Sequence, residues 1–203
     1  DLYCVNDFHG AVSQYNGNKY VEGGIARLAQ YYQNEKNSNE GESIFLSAGD
    51  MWQETYDSGM NKGKLVTEAF AEMGCEASAL GNHEFDWGVG KIKENKAIAE
   101  SKGMKFLACN VYNYVGEAAT THASDLSDQY KIVDKGDIRI GIIGSIGTSQ
   151  ITSITSSNWD NLTFVAPRDI IKNISNDLRS QHGCDVIVLL HHGVLNDEGS
   201  MYR

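Results

Sequence analysis

With 203 residues and 41% apolar content, the chain can form one domain that buries about 70% of its unfolded surface. Its formal net charge of -10 excludes a nucleic-acid groove, which needs clustered Lys and Arg. No apolar run approaches the length of a membrane span, and the first residues lack the basic and apolar regions of a secretory signal.

Leu2 to Val5 reads as a strand entered almost at once, so the numbered chain is expected to be a mature or trimmed product. Asp7 and His9 follow, two apart at the end of an extended segment, where both side chains project to one side and Phe8 to the other. Ile25, Leu28, Ala29 and Tyr32 recur at helical spacing and predict a helix through the low thirties, with Asn34 to Glu42 as a polar loop. Ile44 to Leu46 predicts a buried strand running into Gly49-Asp50.

Leu65, Val66, Ala69, Phe70 and Met73 form a second helical face, with Gly74 placed to end it. Ala77 to Leu80 predicts a strand that runs into Gly81-Asn82-His83-Glu84-Phe85-Asp86. A more polar helix is predicted over Lys91 to Lys102, then strands over Phe106 to Cys109 and Ile138 to Ile143. Gly116 to Gln129 and Ser145 to Asn161 read as long surface loops. A last helix follows Pro167, with Asp169 near its positive end and Ile170, Ile171, Ile174 and Leu178 on one face. Val186 to Leu190 predicts a final strand running into His191-His192-Gly193. Helices alternating with buried strands predict an α/β sandwich. The four cysteines lack metal or redox spacing and are expected to be buried free thiols.

Polar clusters therefore fall at the ends of four predicted strands, where α/β folds gather their sites. A carboxylate such as Asp50 can bridge two cations, and Asn82 can add an amide oxygen. One of His191 and His192 faces inward. Mixed His, Asp and Asn donors favour Zn, Mn, Fe or Co over a pure oxygen cage for Ca. Bound cations also reconcile an acidic protein with a phosphate substrate, because they invert the local charge.

Asp7-x-His9, Gly49-Asp50, Gly81-Asn82-His83-Glu84 and His191-x-Gly193, in this order, resemble the calcineurin-like metallophosphoesterases. Asn6-Asp7-Phe8-His9-Gly10, Gly23-Gly24-Ile25-Ala26-Arg27-Leu28 and Phe85-Asp86-Trp87-Gly88 make the resemblance strongest to the 5′-nucleotidase and cyclic-nucleotide phosphodiesterase branch. Residues Met51-Trp52-Gln53-Glu54-Thr55 lack the phosphate-binding Arg of the protein phosphatases, and Glu54 stands where the nucleotidases usually carry Gly.

The resemblance implies a fold of two mixed β-sheets flanked by helices, with residues 1–203 as one catalytic domain. It implies two divalent metal ions, with Asp7, His9 and Asp50 serving one, and Asp50, Asn82 and His191 serving the other. His191 is chosen because the family ligand stands two before the glycine. His83 would act on the phosphoryl or leaving group with Asp86 holding its ring, Glu84 would support the loop, and Asn110 would touch substrate. The implied substrate is a nucleotide or related phosphoester, and the implied location is secreted, periplasmic or cell-surface. No Gly-His-x-His or Gly-His-x-Gln segment occurs before Arg203, so the chain is expected to lack its closing strands, final ligands and base-binding C-terminal domain. On that expectation it retains metal weakly by itself. The competing expectation is a binding or surface module that has kept the scaffold, or an inactive fragment.

Overall fold

The computed structural model describes residues 1–13, 15–16, 19–20, 24–38, 41–53, 55–116, 118–159 and 161–193; Gly23 and Glu54 lie outside these. The chain opens with β1 (Leu2–Val5), a short antiparallel pair β2 (Tyr15–Asn16) and β3 (Lys19–Tyr20), and α1 (Ile25–Ser38). Next come β4 (Ile44–Ser47), α2 (Tyr56–Met60), α3 (Lys64–Glu72), β5 (Cys75–Ala79), α4 (Val89–Ser101) and β6 (Lys105–Leu107). The second half adds β7 (Val111–Val115), β8 (Ala118–His122), β9 (Tyr130–Lys135), β10 (Ile138–Ile146), β11 (Leu162–Phe164), α5 (Arg168–Ser180) and β12 (Val186–His192).

The first sheet has the order β1-β4-β5-β6, and its strand pairs are all parallel. The second has the order β12-β10-β9 and is mixed, with β12 parallel and β9 antiparallel to β10. A small antiparallel sheet, β11-β7-β8, stands beside them. Because successive residues of a strand face opposite sides, β4 serves two cores at once. Phe45 joins Tyr32, Val66, Phe70 and Ile92 under the helices, whereas Ile44 and Leu46 join Ala77, Ala79, Leu107, Ile142 and Leu190 between the sheets. Ile143 and Leu189 face a third cluster with Ile174 and Leu178 of α5. The layers therefore run helices, sheet, sheet, helix, and the strand ends of β1, β4, β5 and β12 emerge together. The sheets approach so closely that a Cβ on Gly144 would overlap Leu107.

Several expectations need correction. The α1 helix runs on to Ser38 through residues read as loop, because an exposed helix end needs no apolar residues and Gln30 bonds Asn34 one turn on. β8 lies in a stretch read as loop; four of its five residues are exposed, so it carries no hydrophobic alternation. β9 and the short α2 were likewise not anticipated, and the stretch after β10 holds two 3-10 segments, Thr148–Ser153 and Ser156–Asn158. Cys75, Cys109 and Cys184 are buried free thiols as expected, with burial pushing Cys109 up to about 12, but Cys4 on the edge strand β1 is exposed.

Glu76 ties the two sheets together from β5, bonding Lys131 at 2.7 Å and Lys135 at 2.8 Å, both on β9. Burial opposes its charge, but the two lysines outweigh that and hold its carboxyl below the usual range. A depressed folded-state pKa gives stability that is present above the ordinary carboxylate value and lost as pH falls through the lowered one. Glu76→Gln is expected to cost about 1–2 kcal/mol at neutral pH. Urea unfolding should show that difference shrinking as both proteins are taken to acid pH.

Candidate metal centre

Four strand ends build the site. The loop after β1 lies along the loop after β4 through Asp7 N to Gly49 O at 3.1 Å, His9 N to Asp50 O at 3.0 Å and Gly10 N to Met51 O at 2.8 Å. Asp7, His9 and Asp50 have φ of 49°, 47° and 51°. This is the left-handed region, which costs a non-glycine residue about 1–2 kcal/mol and which Asp and His tolerate better than most. Asp7 and His9 thus converge because the chain turns left-handed after Val5, and not through the extended-strand alternation expected from the sequence.

Glu84 lies fully buried below this turn. Its Oε2 accepts from Asp50 N at 3.0 Å and Gly81 N at 2.6 Å, and its Oε1 from Met51 N at 2.9 Å and Trp52 N at 3.4 Å. Burial and the neighbouring Asp50 charge push its carboxyl up to about 7, against the pull of those N–H donors. The loops after β4 and β5 meet so tightly that a Cβ on Gly81 would overlap Asp50 Oδ1.

Asp50 is the centre of the arrangement. His83 N donates to its Oδ1 at 2.9 Å, which leaves Oδ2 facing an imidazole on either side, His192 Nε2 at 3.2 Å and His9 Nε2 at 4.0 Å. Asn82 Oδ1 is 3.2 Å from His192 Nε2, and Asp7 Oδ1 is 3.7 Å from His9 Nε2. Two donor groups result, His9 with Asp50 and His83, and Asp7 with Asp50 and His192; within each the donor atoms lie within 4.8 Å of one another. Mixed imidazole and carboxylate donors that share one carboxylate suit a pair of borderline divalent cations. Burial opposes charge on both Asp50 and His192, yet their mutual attraction wins, lowering the pKa of Asp50 and raising that of His192. A cation bound between them would compete with a proton for the same atoms.

His83 Nδ1 is 2.6 Å from Asp86 Oδ2. Burial disfavours the imidazolium, but the Asp86 bond and the charges of Asp50, Asp86 and Glu84 raise its pKa overall. Asp7, His9, Asp50, Asn82 and His83 all line one open cleft of about 570 Å³, and no Lys or Arg lines it among the described residues.

A profile of the calcineurin-like phosphoesterases matches residues 2–203. The chain belongs to that family. It is 31% identical to the 5′-nucleotidase of Bos taurus over 197 residues, which is 93% of this chain and 33% of the relative. It is 28% identical to the snake venom 5′-nucleotidase of Gloydius brevicauda, over 96% of this chain and 33% of the relative. Among solved structures, the 5′-nucleotidase precursor of Thermus thermophilus superposes with a TM-score of 0.79 at 25% identity, covering all of this chain and 38% of that one. The chain thus spans about a third of the length of these curated relatives.

In this calcineurin-like phosphoesterase the imidazole beside Asp50 and Asn82 is that of His192, where His191 was expected. Alternation along β12 is the reason. Val188 and Leu190 face the core between the sheets and His192 continues that face, whereas Ile187 and Leu189 face α5. His191 bonds Ser145 Oγ through Nδ1 at 2.8 Å and still lines the cleft, since the strand ends there. Asn110 corrects a second expectation. It is fully buried, its amide bonding Ile146 N and the carbonyls of Ile146 and Val165, so it pins β10 and the segment after β11 and does not line the cleft.

Sequence reasoning missed three contributors. Asn6 and Gln150 line the cleft, and Asn158 donates to Asp86 O at 2.8 Å. Asn158 and Gln150 come from the stretch read as loop, where no local pattern marks a site residue. Asn6 stands inside the recognised motif Asn6 to Gly10 but was given no role there, and its amide donates to the Asp7 carboxylate. Gly81→Ala is expected to push Asp50 off its position and to destabilise the protein by about 1–3 kcal/mol. Thermal unfolding without added metal, paired with Mn2+ titration, would register both effects.

Proposed function

We propose that this phosphoesterase domain hydrolyses phosphoester bonds in nucleotides, with two divalent cations held by Asp7, His9, Asp50, Asn82 and His192. The observation that carries the reading is one buried carboxylate, Asp50, whose Oδ2 faces His9 on one side and His192 on the other. Cations of the Zn, Mn, Fe or Co type would supply the positive charge that the cleft lacks and an acidified water for attack on phosphorus.

The chain's own residues supply the rest. Asp86 fixes the ring of His83 and favours its protonated form, so His83 can bond a phosphoryl oxygen or hand a proton to the leaving oxygen. Asn158 restrains Asp86 in turn. Glu84 and the His83 N–H hold Asp50 with Oδ1 turned to the backbone and Oδ2 to the cleft. The names of the relatives, both 5′-nucleotidases and one from venom, support nucleotides as the substrate class and an extracellular or surface location. No helix among the described residues is long and apolar enough to cross a membrane.

Phosphate release from AMP with Mn2+ or Zn2+ tests the reading. Asp50→Ala is expected to abolish both activity and metal binding, and activity that survives it would refute the assignment. His83→Ala is expected to lower kcat by about 10²–10⁴ while metal content holds. Of the two adjacent imidazoles, His192→Ala should weaken metal binding by more than about 100-fold and His191→Ala by less. The reverse order would return the ligand role to His191.

A further inference from the structure

We propose that Glu84 is a positioning residue whose carboxylate sets the orientation of Asp50, and through it the affinity of both cation positions; this rests on the reading of Asp50 as a shared ligand. Each Glu84 oxygen takes two backbone N–H donors, Asp50 and Gly81 on one, Met51 and Trp52 on the other. An ionised carboxylate has the lone pairs for four such bonds, all pointing inward. A glutamine does not, because its NH₂ would face two N–H groups whichever way the amide is turned. An aspartate keeps the charge but is one methylene short of spanning the two loops.

These four donors belong to the turn that carries Asp50 and to Gly81 at the head of the loop that carries Asn82 and His83. Asp50 itself sits at φ 51°, a conformation that the surrounding bonds have to hold. The fixed turn also presents Asp50 Oδ1 to His83 N at 2.9 Å, which selects Oδ2 for the cleft. Glu84 is fully buried and is not among the residues lining that cleft, so it acts through Asp50 and touches no substrate. Glu84 thus fastens the turn after β4 to the loop after β5 beside the His83 N to Asp50 bond, and both donor groups share Asp50.

Glu84→Gln and Glu84→Asp test this, with Glu76→Gln as a control that loosens the fold away from the site. Metal-free stability is measured first by circular dichroism, and Mn2+ is then titrated calorimetrically below the unfolding transition of every variant. Both Glu84 variants are expected to bind Mn2+ about 10–100-fold more weakly at both positions. Glu76→Gln should bind like the wild type although it is less stable. At saturating Mn2+ the Glu84 variants should keep a depressed kcat for AMP with an unchanged KM. Wild-type Mn2+ affinity in a folded Glu84 variant would overturn the inference while leaving the proposed function intact, and so would an equal loss in Glu76→Gln. If Glu84→Gln does not fold, Glu84→Asp decides. A wild-type protein that binds no Mn2+ would instead overturn the proposed function, and this inference with it.

Discussion

A buried carboxylate must have its hydrogen bonds, and in this protein that requirement organises everything near the cleft. Glu84 has no solvent to turn to and finds four backbone donors, so the turn after β4 and the loop after β5 can close in only one way. The absence of a side chain at Gly81 lets them close fully. The loop after β1 then lays itself against the fixed turn through backbone bonds, and Asp7 and His9 arrive as a consequence. The site is a stack of loops registered on one another and resting on two sheets held close.

That hierarchy explains what the sequence revealed. Each polar cluster follows an apolar run, and Ile44 to Leu46 was readable as a buried strand because both its faces are covered, whereas Val186 to Leu190, read the same way, starts exposed at Val186 and is fully buried only at Leu190. Asp7, His9, Asp50, Asn82, His83 and Asp86 could be singled out as candidates because each stands a few residues past a strand end; the structure brings the first five to one cleft and sets Asp86 against His83. The pairing of strands into two sheets was less so, since β8 is exposed and β9 carries mixed residues. Register was the hardest feature. Whether His191 or His192 turns toward Asp50 depends on which face of β12 meets the first sheet, and a run of five apolar residues, Val186 to Leu190, is silent about that. Asn110 shows the same limit, because an asparagine at a strand end looks alike whether it meets a ligand or pins a neighbouring backbone.

Electrostatics links the composition to the cleft. An acidic chain whose cleft is lined by no Lys or Arg among the described residues has little to offer a phosphate directly. Its imidazoles respond to their neighbours in opposite ways. His192 and His83 are pulled toward the charged form by carboxylates, whereas burial and the adjacent His192 push His191 toward neutrality. The two adjacent imidazoles at the end of β12 therefore differ in their affinity for a proton, His192 holding one more readily than His191.

The left-handed backbone at Asp7, His9 and Asp50 carries a cost beyond geometry. These three residues work against the fold that holds them, and Asp50 and Glu84 add the repulsion of two neighbouring buried carboxylates. Replacing any of the three with glycine would relax the backbone while deleting a donor. Stability and activity are therefore opposed at these positions, and sequences drifting toward greater robustness would erode the site first at the residues that define it.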